Sequence, residues 1–333
     1  MINSTLAPIV LFVYGRPAHT RQTLEALFQN DLAKESVLYI FADGAKPTAS
    51  AEQLEKVRQT REVIREKQWC GQVHIVESET NKGLAQNIIE GVTRIVNQYG
   101  KVIVLEDDIV TSDAFLAYMN NALTLYQDNE KVMHVSGYTY PIKADSTPSS
   151  NFYFAKMMHC WGWATWSRAW KYYKKDAADI SNKLLSRGQV REFDYDNSGY
   201  LYSQVQFNLT GQLNTWAIFW HAAIFLNNGL CLNPRQSFVQ NIGTDSSGEH
   251  EGATDIYYHY DPLCREAKVE YLAPVEDKEM AQKIAYYYKY FTNLSLKEYK
   301  KRELIKKIKS IYASPLVFGI LGPIVKGFKK IVK

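Results

Sequence analysis

Cysteine is scarce. The 333-residue chain has four, at positions 70, 160, 231 and 264. None forms a Cys-x-x-Cys pair, which argues against a zinc ribbon or thioredoxin-type chemistry. So few scattered thiols suit a reducing compartment, and a cytoplasmic protein is expected. Long apolar runs are missing too. No segment reaches the roughly 18 apolar residues of a spanning helix, and residues 1–7 lack the basic stretch that opens a secretory leader. There is no G-x-x-x-x-G-K-[ST] segment, which argues against a P-loop nucleotide triphosphatase. Nor is positive charge spread along the chain, although the net charge is +4. Residues 297–333 hold 11 Lys/Arg and 2 acids, a net of +9, while the other 296 hold 28 and 33, a net of −5. A nucleic-acid binder carries its basic residues on the folded domain, so no nucleic-acid partner is expected.

What is present is an ordinary globular composition, 46% hydrophobic and 22% charged, with 23 Tyr and 7 Trp. The first half alternates apolar runs with amphipathic stretches. Strands are predicted at 9–14, 37–41, 73–76, 101–105 and 132–135, and helices at 20–28, 52–69, 84–98 and 113–126. Strands separated by helices imply right-handed crossovers and a mostly parallel sheet. Ligands bind such sheets at the carboxyl ends of the strands. Four polar clusters fall there: Tyr14-Gly15-Arg16, Asp43-Gly44, Asn81-Lys82-Gly83 and Glu106-Asp107-Asp108. Residues 144–150, rich in Ser, Pro and Asp, mark the division into halves. The second half is more irregular and richer in aromatics.

Glu106-Asp107-Asp108 carries the most chemistry. Three adjacent carboxylates repel one another unless a positive group sits among them. A divalent cation serves that purpose, because Mg²⁺ and similar ions bind one or two carboxylates together with substrate phosphates. Acids opening a helix are the structural alternative, though a helix terminus accounts for one acid more easily than for three.

The stretch Val-Ile-Val-Leu-Glu-Asp-Asp-Ile-Val-Thr-Ser-Asp-Ala-Phe at 102–115 resembles the acidic metal motif of GT-A glycosyltransferases, in the Glu-Asp-Asp form of the N-acetylglucosaminyltransferase I family. Asn81-Lys-Gly-Leu-Ala-Gln-Asn87-Ile-Ile-Glu-Gly91 resembles the Asn-x-Gly segments of family 2 bacterial glycosyltransferases. The likeness covers residues 7–140 and continues more loosely to about 250, through Trp161-Gly-Trp-Ala-Thr-Trp166 and Asn241-Ile-Gly…His250. It implies a GT-A (Rossmann-like) α/β fold, a nucleotide-sugar donor and a Mn²⁺ or Mg²⁺ cofactor. Residues 1–143 would bind the donor, and 144–296 would form the acceptor side of the same catalytic domain. Arg16 and Asp43 would hold the nucleotide base, with Asn81, Gly83 and Asn87 beside them. Glu106 and Asp107 would face the ribose and donor sugar, and Asp108 and His250 would hold the metal.

Trp161, Gly162, Trp163 and Trp216 are candidates for an acceptor platform, with a tryptophan-rich core seam as the equal alternative. The family places an Asp before a Trp as its catalytic base. Here Asn214-Thr215 precede Trp216, and neither can take a proton. Asp245 and Glu249 are the preferred substitutes, with Asp194 and Asp196 behind them. Residues 297–333 set lysines opposite Leu304, Ile305, Ile308 and Ile311 and then become apolar, a pattern suited to an anionic membrane surface. The expectation is a glycosyltransferase, peripheral at the inner face of the cell membrane, acting on a glycan or lipid-linked oligosaccharide for surface polysaccharide, with UDP-sugar the leading donor. Two rivals stand beside it. One is a noncatalytic carbohydrate-binding scaffold. The other is a sugar-phosphate nucleotidyltransferase, disfavoured because its Gly-rich first loop is absent from Val13-Tyr-Gly-Arg-Pro-Ala-His19.

Overall fold

The computed structural model describes residues 6–145, 147–196, 198–243 and 262–289. The chain opens with β1 (Ile9–Val13), α1 (Pro17–Phe28), β2 (Val37–Ala42), α2 (Ala51–Val63), β3 (Gln72–Glu77), α3 (Leu84–Tyr99) and β4 (Lys101–Glu106). There follow β5 (Ile109–Thr111), α4 (Phe115–Leu125), β6 (Val132–Ser136), β7 (Phe152–Ala155) and β8 (Trp163–Trp166). Next come α5 (Ser167–Trp170), α6 (Ala177–Ser186), α7 (Val190–Phe193), α8 (Leu201–Leu209) and α9 (Ala217–Leu226). The described elements end with β9 (Leu230–Pro234), β10 (Val239–Asn241) and α10 (Lys278–Tyr287).

Eight strands form one sheet in the order β3-β2-β1-β4-β8-β6-β9-β7. The pairs β3–β2, β2–β1, β1–β4 and β6–β9 are parallel, while β8 runs antiparallel to β4 and β6, and β7 to β9. The architecture is therefore α/β, with a mostly parallel sheet flanked by helices. One sheet runs through both halves, since β8 pairs with β4 and β6, β9 pairs with β6, and β7 pairs with β9.

β1 is apolar at every position because both of its faces are covered. Ile9, Leu11 and Val13 pack with Leu24 and Leu27 of α1 and with α4. Val10 and Phe12 pack on the other face with Ile88, Val92 and Ile95 of α3. The chain steps outward from β1 to β3, and α3 then carries it back to β4 on the far side of β1. The carboxyl ends of β1 and β4 thus flank a topological switch point, where open α/β sheets bind ligands.

The second predicted helix is shorter than expected. α2 opens on a Ser50–Gln53 capping box and stops at Val63. The chain then turns so that Trp69 is fully buried, its indole N–H donating to the Ile64 carbonyl at 3.1 Å. α1 begins three residues earlier than predicted because Pro17 fits the first helical turn.

Candidate active site

Glu106 is the last residue of β4, and Asp107 and Asp108 follow it at the switch point. The positive group among these carboxylates is Arg16, the residue before α1. Its Nε lies 3.4 Å from Asp107 Oδ2, and its Nη2 contacts Asp107 Oδ1 and lies 2.9 Å from Asp108 Oδ2. Arg16, which the resemblance assigns to the nucleotide base, lies with its guanidinium in the carboxylate cluster. Thr23 of α1 donates its hydroxyl to the Asp107 carbonyl at 2.9 Å. Burial weakens the guanidinium's hold on its proton, but Asp107 and Asp108 more than offset this and raise its pKa.

One guanidinium does not neutralise three acids. Burial, with the like charges of Asp108 and Asp107, pushes Glu106 up to about 8. Burial raises Asp107 to about 6 against the opposing pull of Arg16. Glu106 therefore holds a proton in the folded protein that it loses near pH 4.3 when unfolded. The folded state binds more protons between those values, so the Glu106 contribution to stability is greatest at low pH and is lost as pH rises toward 8. In chelator, the stability advantage of Glu106→Gln over wild type is expected to grow from pH 5 to pH 8, by up to about 1.4 kcal/mol per pH unit. Denaturant melts across that range measure it, and parallel curves for the two proteins would contradict it.

A second strand pair reaches the cluster. β10 pairs antiparallel with β5, the strand that follows Asp108. Past β10, the Ile242 N–H donates to the Asp108 carbonyl at 2.9 Å, and the Asn241 side chain accepts the Gly243 N–H at 2.7 Å. Gly243 lies against the Asp108 carboxylate so closely that a Cβ there would overlap Oδ2 and stand 2.9 Å from Arg16 Nη1. The sequence marks this contact only by a turn-forming Asn two residues before a Gly, in Asn241-Ile-Gly.

Asp43, expected to hold a ligand, is buried and fully occupied. Its Oδ1 accepts N–H groups of Gly44 and Lys82 at 2.9 Å each. Its Oδ2 accepts from Asn81 Nδ2 at 3.1 Å and from the Gly83 N–H at 3.0 Å. Asn81 also donates to the Gly44 carbonyl at 2.8 Å. Asp43 thus ties the end of β2 to the loop that opens α3. Gly83 precedes that helix at φ 77°, a conformation that favours glycine. Asn87 is buried in the first turn of α3. Arg61 of α2 braces the same edge, donating to the Ser78 carbonyl at 2.8 Å.

The tryptophans divide. Trp163 is fully buried, stacked on Trp216 at 5.3 Å and on His134 at 5.4 Å, with Trp170 and Trp220 beside it. Trp163 and Trp216 therefore form the core seam, and neither presents a ring face to a ligand. Gly162, at φ 58°, serves close main-chain packing, its carbonyl accepting the Gly137 N–H at 2.6 Å. Trp161 is half-buried, edge-on to Tyr138 at 4.6 Å. The neighbouring Cys160 thiol is raised by burial first and then by Glu106.

Two substitutes for the missing base are otherwise engaged. Asp194 is buried and accepts N–H groups of Gly199, Leu201 and Tyr202 at 2.7, 2.8 and 3.0 Å. Asp196 pairs with Arg191 on the surface. Asp245, Glu249 and His250 lie outside the described residues, as does the tail. Among the described residues, no three His, Cys, Asp or Glu side chains converge as a metal site. No helix among them is long and apolar enough to cross a membrane.

No family model matches the chain, and no curated protein matches it. Solved structures with a similar backbone path include a mannosyltransferase of Pyrobaculum calidifontis in complex with GDP-Man and Mn²⁺ (11% identity, 66% of this chain and 69% of that one, TM-score 0.33). Another is residues 1–349 of S. aureus TarS (12% identity, 67% and 71%, TM-score 0.37). A third is the 4-diphosphocytidyl-2C-methyl-D-erythritol synthase of Anaerococcus prevotii (11% identity, 72% and 92%, TM-score 0.36).

Proposed function

We propose that this chain is a metal-dependent glycosyltransferase of the GT-A type that its motifs resemble. It would move a sugar from a nucleotide-diphosphate donor, with UDP-sugar the first to test, to a glycan or lipid-linked acceptor in surface-polysaccharide synthesis. The observation that carries this reading is the carboxylate cluster at the switch point, three acids set against one guanidinium. Its residual negative charge fits a divalent cation. The lack of a three-ligand cage is no obstacle, because Mg²⁺-type ions take their remaining ligands from phosphates and water.

Asp108, the more open of the two aspartates at 14% side-chain exposure, is the proposed ligand. The cation would stabilise charge developing on the leaving diphosphate. Asp107 anchors Arg16, Glu106 faces the donor, and Asp43 holds the Asn81–Gly83 loop in place. Trp161 is the remaining tryptophan for the acceptor side. Asp245 or Glu249 is the proposed proton acceptor and His250 a further ligand. Gly243, the last described residue before them, lies against Asp108, which supports this assignment.

The test is release of nucleoside diphosphate from a panel of nucleotide sugars. Release that requires Mn²⁺ or Mg²⁺ and stops with chelator is expected; none from any donor would contradict transferase activity. Asn214 and Thr215 are held by Lys175 and Asn208, and their neutrality favours one second reading, a scaffold that binds sugar without turning it over. Binding without release would signal it. The basic tail is proposed to hold the protein on anionic membrane. Full-length protein should sediment with anionic vesicles and lose this on deletion of 313–333; sedimentation of the truncated protein would count against the tail.

A further inference from the structure

Arg16 sits where a cation belongs. Its Nη2 is shared between Asp107 and Asp108, 2.9 Å from Asp108 Oδ2. The two contacts are unequal. Asp107 is buried and takes both Nε and Nη2, whereas Asp108 is more open and takes Nη2 alone. Gly243 packs over the place where Asp108 and the guanidinium meet, and only a residue without a side chain leaves both there. A divalent cation on Asp108 would stand beside the guanidinium on one carboxylate, and like charges there repel.

We propose that Arg16 is a built-in counter-ion that holds Asp108 in the metal-free protein, yields it to the divalent cation, and then donates to the diphosphate of the donor. This rests on the proposed cation dependence and adds an exchange to it. Asp107 is the pivot: it retains the guanidinium through Nε while the contact to Asp108 opens. The charges of Asp107 and Asp108 are then never left uncompensated. The metal-free protein also has a reason to bind cation and donor together, because the displaced N–H donors find new acceptors on the phosphates.

The exchange makes opposite predictions for two ligands of one variant. Mn²⁺ binding, followed by the electron paramagnetic resonance of the free ion, is measured without nucleotide. UDP and GDP binding is then measured at saturating Mn²⁺. In Arg16→Gln the competitor for Asp108 is gone, so Mn²⁺ alone should bind about tenfold more tightly, whereas the nucleoside diphosphate should bind about tenfold more weakly. Arg16→Lys keeps a point charge and cannot bridge two carboxylates in the same way, so its Mn²⁺ affinity should fall between wild type and Arg16→Gln. If Arg16→Gln does not fold, wild type answers by nitrogen-15 NMR: the Arg16 guanidinium signals, identified by their loss in Arg16→Lys, should shift on adding Mg²⁺. Weakening of Mn²⁺ and nucleotide together in a folded Arg16→Gln, or guanidinium signals unmoved by Mg²⁺, would overturn the exchange and leave cation dependence standing. Wild type that binds neither Mn²⁺ nor nucleotide would overturn both.

Discussion

Asp108→Ala should lower cation-dependent release of nucleoside diphosphate by about a thousandfold, the order expected when the group holding an electrostatic catalyst is removed. The protein should stay folded. The Asp108 main-chain carbonyl keeps the Ile242 N–H, and Arg16 keeps both of its contacts to Asp107. Removing one like charge also relieves Glu106, whose pKa Asp108 helps to raise. The lost pair is largely buried, but relief of the like charges offsets part of its loss, so the stability change should stay within about 2 kcal/mol. Turnover and melting temperature, measured on one preparation, separate the two effects. Wild-type turnover in the variant would remove Asp108 from the chemistry.

Asp43→Ala should be the costliest change to stability at the site. One buried carboxylate accepts four N–H donors, three from the main chain and one from Asn81. Hydrogen bonds to a charged group are worth about 1.5–3 kcal/mol each and do not add fully, so a loss of about 4 kcal/mol is expected. Asp43→Asn keeps one acceptor oxygen and should lose roughly half as much. Urea denaturation reads both, and a loss below about 1 kcal/mol for Asp43→Ala would contradict the anchoring role. Any fall in donor affinity then follows from movement of the 81–83 loop.

The parallel half was legible because its information is local. Apolar runs such as Val102–Leu105 are long enough to be strands on their own evidence, and each ends in polar residues that mark the ligand edge. The second half was not. β7, β8 and β10 have four, four and three residues, and the aromatic runs Phe152–Ala155 and Trp163–Trp166 are strands only because distant partners pair with them. The same limit left Trp163 and Trp216 open between core seam and acceptor platform, since composition does not say which aromatic faces inward. At the site, the need for a positive group among three carboxylates was readable, but its identity was not. Arg16 is 91 positions from Asp107, and only the β1–β4 pairing brings them together. The four N–H partners of Asp43 are equally hidden in the sequence, because a strand-end acid looks alike whether its acceptors are open or filled.

The most direct test of a metal-dependent nucleotide site is thermal unfolding of the full chain against UDP, GDP, CMP and dTDP, each with and without Mn²⁺. Ligand at about 100 times its dissociation constant adds roughly 2.7 kcal/mol to native stability, which is visible as a rise of several degrees. The expected result is a rise with one nucleotide that appears only when Mn²⁺ is present. An unchanged melting temperature with every nucleotide, in the presence of the cation, would contradict it.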